Sequence, residues 1–171
     1  EETMKQFLII LSLVGVSMSI CSAQVSRGTA ETNIHGKKII IEYGRPELQG
    51  RDMLEKASVG MVWRMGADEA TSLVSEGNLI FGKIQVQKGS YSLFAKKAGR
   101  NQWELIINSE AKVWGSRRNP EKDLLAIPLR SNVVSSNKEK FTILLNSTGQ
   151  DSGTISMVWG TKELSADFTV E

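Results

Sequence analysis

The chain has 171 residues and a formal net charge of +2, with Lys and Arg interleaved among Asp and Glu, and it carries one cysteine and one histidine. That balance excludes a dedicated basic face for nucleic acid. One His and one Cys exclude a transition-metal cluster of the usual ligands, and the lone cysteine excludes a disulfide framework.

Met4–Ala23 has the pattern of an export signal. Lys5 supplies the positive start, Phe7–Val16 a short apolar core, and Cys21-Ser22-Ala23 small residues at both positions a signal peptidase inspects, with cleavage expected after Ala23. Acidic Glu1-Glu2 does not suit a signal's start, so Met4 is the expected initiator. The apolar run is about half of the roughly 20 residues a membrane span needs. Residues 24–171 are therefore expected to be a single exported domain, periplasmic or extracellular. Lipidation of Cys21 is the alternative, and Ile20 disfavours it because such sites want a small residue there. Loss of Glu1, Glu2 and Lys5 raises the net charge by one.

The remainder reads as strands. Gly28–Ile34 and Lys37–Tyr43 flank the turn His35-Gly36, and Leu79–Phe81 and Ile84–Gln87 flank Gly82-Lys83. Period-two alternation places Tyr91, Leu93 and Ala95 inward, then Trp103, Leu105 and Ile107, then Phe141, Ile143 and Leu145. Asp123–Ser131 is strand-like, but Pro128 confines it to an edge or a bulge. Gly153–Trp159 and Lys162–Glu171 alternate again, with Leu164, Ala166, Phe168 and Val170 inward. The short link Trp159-Gly160-Thr161-Lys162 predicts a hairpin between them. Around ten short strands with little helical periodicity indicate an all-β antiparallel two-sheet β-sandwich, of jelly-roll or immunoglobulin-like type.

Gly44–Ala70 is the exception, an irregular segment with at most one helical turn around Asp52–Lys56. Long loops on a compact domain often carry function. This one holds Arg45, Arg51, Arg64, Asp68 and Glu69, bracketed by Tyr43 and Trp63. Guanidiniums recognise carboxylate or phosphate with a planar fork of donors, and aromatic faces stack on sugars or flat ligands, so the set suits a small polar or anionic ligand. Trp114, in the loop after a strand, is either a further platform or a buried anchor. The competing structural reading is that the arginines tie the loop down through carbonyls and local carboxylates, with Trp63 a core anchor.

The segments Tyr43-Gly44-Arg45-Pro46, Gly50-Arg51 and Val62-Trp63-Arg64-Met65-Gly66-Ala67-Asp68-Glu69-Ala70-Thr71 resemble domain-of-unknown-function family 2911, found in secreted proteins of Gram-negative bacteria. The resemblance continues through Gly89–Phe94, Trp103–Asn108 and Trp114-Gly115, and it departs at Asp52-Met53-Leu54, where the family has a basic-apolar-aromatic run. It implies a β-sandwich and no known activity.

Three functions follow from the residues. One is a non-catalytic binding module taking a small polar or carbohydrate-like ligand at Tyr43, Arg45, Arg51, Trp63, Arg64, Asp68, Glu69 and Trp114. A second is a hydrolase using Asp68 or Glu69 as general acid or base. The third is a structural or partner-binding envelope protein. His35 is expected to serve its turn, no Gly-x-Ser-x-Gly elbow is present, and neither cofactor nor metal is expected.

Overall fold

The computed structural model describes residues 25–171, so the expected export signal and Cys21 lie outside the described residues. Ten strands follow in order: β1 (Arg27–Ile34), β2 (Lys37–Gly44), β3 (Val62–Trp63), β4 (Thr71–Ser75), β5 (Leu79–Phe81), β6 (Ile84–Val86), β7 (Gly89–Lys97), β8 (Trp103–Asn108), β9 (Asp123–Ser147) and β10 (Ser152–Val170). All pairings are antiparallel. The ladder runs β1-β2-β4-β7-β8-β9-β10-β5-β6, with β3 also on β7.

The expected all-β architecture is present, and β9 explains how one ladder makes two layers. Its first part, Asp123–Leu129, pairs with β8, and the stretch from Arg130 to Ser147 pairs with β10. Ile39, Ile41, Leu73, Leu93 and Leu105 of one layer then face Leu79, Phe81, Ile155 and Phe168 of the other. Only about 10 Å³ is left between them, too little for more than one water. Pro128 sits opposite Glu104, where β9 has no second ladder partner among the described residues, so its missing N–H costs nothing.

The two short hairpins form as expected. His35 and Gly36 take φ of +54° and +69°, and Gly82 takes +63°, matching the mirror-image turns that follow strand twist. The hairpin expected at Trp159–Lys162 does not form. Gly160, at φ +64°, instead sits at a bulge inside one strand, β10. There Val158 pairs with Thr142, Gly160 with Lys138 and Lys162 with Val133, so β9 carries the extra residues. Strands β3 and β4 have no counterpart among the expected elements, and β3 falls inside the segment Gly44–Ala70 expected to be irregular.

Candidate functional site

Strands β3 and β4 lie end to end along one edge of β7. Trp63 pairs with Ala95 and Thr71 with Leu93, so only Phe94 separates them on β7. The chain between them, Arg64–Ala70, therefore leaves the sheet and returns almost where it left. Its base is closed twice: Thr71 N–H donates to the Arg64 carbonyl at 3.4 Å, and Thr71 Oγ1 donates to the Met65 carbonyl at 2.6 Å. Thr71 and Met65 are both fully buried.

Two close approaches shape the excursion. A Cβ on Gly66, at φ +152°, would stand 2.7 Å from the Gly44 carbonyl oxygen, and one on Gly44 would stand 2.9 Å from the Ala67 nitrogen. Only glycine at both positions lets the backbones pack this tightly. Met65 and Asp68 take φ of +52° and +63°, the left-handed conformation that tightens the turn.

The far side of the excursion meets the loop after β8. Ala70 N–H donates to the Val113 carbonyl at 3.0 Å, Gly115 N–H donates to the Asp68 carbonyl at 3.0 Å, and Glu69 pairs with Trp114 across an antiparallel bridge. Ala70 and Val113 pack with Phe94 and Ile106 in a small cluster on the outer face of the sheet, which anchors both loops. Arg118 closes the second loop by pairing with Asp123 and lying over the Phe94 ring, 5.7 Å from its centroid. Arg118 is thus engaged in structure rather than solvated.

The candidate residues separate into three groups. Tyr43, Arg45 and Trp63 serve packing. Tyr43 is buried and donates to the Ile143 carbonyl at 3.3 Å. Arg45 donates from Nε to the Phe141 carbonyl and from Nη2 to Thr142 Oγ1, both at 3.2 Å. Trp63 stacks on Trp159 and meets Phe141 edge-on at 4.8 Å. Arg51 is exposed, bonds Gln49 at 3.3 Å, and lines a groove of about 200 Å³ with Asp52, Glu139 and Gly160.

The third group is brought together. A Cβ on Gly115 would strike the Arg64 side chain and stand 2.9 Å from the Asp68 carbonyl oxygen, so Arg64, Asp68 and the Trp114-Gly115 backbone share one surface. Glu69 is bound there by Arg27, at 3.2 Å. Among the described residues, neither the Arg64 guanidinium nor the Asp68 carboxylate has a side-chain partner, and both residues are partly exposed. Trp114 is 49% exposed. No group of three or more His, Cys, Asp or Glu among the described residues could hold a metal, and no helix there is long and apolar enough to cross a membrane.

A family model described as "Protein of unknown function (DUF2911)" matches residues 26–168. The chain belongs to this family. The stretch Trp63–Thr71, through which the chain resembles DUF2911 in sequence, is the excursion just described, and its residues have separable structural duties. Gly66 permits the backbone approach, Ala70 fills the outer cluster, Thr71 closes the base and Trp63 anchors the start. Arg64 and Asp68 are left with no such duty for their charged ends. No curated protein and no solved structure matches the chain.

Two inward lysines were not anticipated. Lys97 and Lys162 are 4% and 8% exposed. Each continues an inward phase already visible in sequence, Lys97 after Tyr91, Leu93 and Ala95, and Lys162 before Leu164, Ala166, Phe168 and Val170. Extending each alternation by two residues finds both.

Proposed function

We propose that this DUF2911 protein is an exported, non-catalytic binding module that takes a small polar, carbohydrate-like ligand at Arg64, Asp68 and Trp114. The observation that carries the reading is that Arg64 and Asp68, whose charged ends have no protein partner among the described residues, both border Gly115, next to the exposed Trp114 indole. Unpaired charged ends presented on a tightly bonded loop are donors and acceptors available to an external partner. A sugar supplies what they lack. Vicinal hydroxyls accept from the guanidinium fork and donate to the carboxylate, while the ring's C–H face stacks on tryptophan. Glu69 pairs with Arg27 at the rim of this surface. Export rests on the Met4–Ala23 pattern.

Titration of the mature protein with a panel of neutral and acidic oligosaccharides, followed by tryptophan fluorescence, tests this. At least one member should quench saturably. Arg64→Ala and Trp114→Ala should each weaken that response at least tenfold while the melting temperature holds. A panel without a saturable response, or variants that bind as wild type does, would overturn the proposal.

A further inference from the structure

At the end of the interlayer space under the irregular segment, two ammonium groups enter from opposite layers. Lys97 comes from β7 and Lys162 from β10, both on the inward phase of their strands. One carboxylate answers them. Glu55 Oε2 lies 2.7 Å from Lys162 Nζ, and its side chain is 65% exposed. Lys97 has no carboxylate. Its ammonium lies 4.7 Å from the Trp103 ring centroid, a cation–π contact that satisfies none of its three N–H donors with oxygen. The Trp103 indole N–H is buried without an acceptor. The cluster is therefore rich in donors and short of one negative charge.

Titration behaviour agrees with that geometry. Burial first, and then the charge of Lys162, hold the Lys97 ammonium below its ordinary pKa, while Glu55 pulls the other way. A hydrogen bond from Lys162, and then its charge, hold Glu55 below the usual carboxylate range.

Glu55 reaches the lysines from a single turn. Its N–H donates to Asp52 Oδ1 at 2.9 Å, Lys56 N–H donates to the Asp52 carbonyl at 3.2 Å, and buried Leu54 seats the turn. Only an exposed side chain, not a strand, holds the carboxylate on Lys162.

We infer that Lys97 and Lys162 form a carboxylate-binding site distinct from the Arg64 surface, and that Glu55 is a tethered occupant which a free carboxylate displaces. The two lysines bind the incoming carboxylate, and Glu55 swings to solvent. An organic acid and a peptide C-terminus present the same group, so both are probes.

Benzoate and N-acetyl-trialanine are titrated separately into wild type and Glu55→Gln at fixed ionic strength, by calorimetry and tryptophan fluorescence, with sulfate as control. Glu55→Gln removes the internal competitor from an exposed position and leaves the core intact. It should bind at least one probe saturably, at least tenfold more tightly than wild type. Adding Lys97→Met should abolish the gain. If that double variant fails to fold, the comparison of Glu55→Gln with wild type decides alone. Whichever probe binds names the source of the carboxylate. Equal affinity in wild type and Glu55→Gln, an equal response to sulfate, or no saturable binding in Glu55→Gln overturns the inference. Oligosaccharide binding at Arg64 is unaffected by any of these results.

Discussion

Trp63 and Trp159 stack with ring centroids 5.4 Å apart and planes 12° from parallel, joining the start of the Arg64–Ala70 excursion to the bulged region of β10. Phe141 closes the group edge-on against both. This assigns Trp63 to stability. Trp63→Ala should lower unfolding free energy by about 3 kcal/mol, the cost of emptying a large aromatic site. Denaturant unfolding measures it, and oligosaccharide affinity measured well below the transition should be retained.

The two close glycines should tolerate no side chain. Gly66→Ala adds a Cβ at φ +152° and 2.7 Å from the Gly44 carbonyl oxygen. Backbone strain and displacement together should cost about 2–4 kcal/mol. A melting temperature within a degree of wild type would show that the approach is looser than described.

Arg45 and Arg64 should behave oppositely. Arg45→Ala removes two bonds to the β9 bulge region and should cost about 1–3 kcal/mol of stability with no specific loss of binding. Arg64→Ala should change stability by less than about 0.5 kcal/mol, as expected for a side chain without protein partners, while binding falls. Parallel melts and titrations of the two variants separate loop anchoring from ligand contact.

Thr71→Val keeps shape and deletes one hydroxyl. It leaves the Met65 carbonyl without its 2.6 Å donor in a fully buried setting and should cost about 1–3 kcal/mol. Hydrogen exchange should accelerate first at the Thr71 amide, the other bond closing the loop base.

Acid should weaken one contact on the outer face. Arg130 first, and then Thr154, hold the Asp167 carboxyl at about 2, below its ordinary 3.8. A depressed carboxylate stabilises the fold above the unfolded value, and that contribution fades as pH falls from about 4 to about 2. The pair is more than half exposed, so screening keeps it under about 1 kcal/mol. Asp167→Asn should flatten the stability profile across that window and leave it unchanged at neutral pH apart from a constant offset.

Alternation made the strands legible wherever one face meets the core, as at Leu164–Val170, and turn chemistry fixed the hairpins at His35-Gly36 and Gly82. Gly160 misled because positive φ serves a turn and a bulge equally; only the pairing of Lys138 and Val133 across the ladder distinguishes them. The polar run Ser131–Lys140 hides the length of β9, since its side chains are mostly exposed and no apolar alternation announces a strand. At the site, residue types singled out one segment and could not divide it. Arg45 and Arg64 look alike in sequence, and only the position of Phe141 and Thr142 turns one into a brace. Lys97 and Lys162 were overlooked because lysine is ordinarily solvated, although the phase of their strands already pointed them inward.

The β5–β6 hairpin has one ladder neighbour among the described residues, β10, through Ile80 with Thr169 and Leu79 with Val170. Its nearest neighbours in sequence, β4 and β7, pair with each other and leave it aside. During folding this hairpin must therefore wait, with Leu79 and Phe81 wet, until β10 docks. Closure across so great a chain separation is slow, and the unpaired edge is an aggregation hazard meanwhile. A holdase chaperone that shields this edge should raise the refolding yield more than it raises the rate.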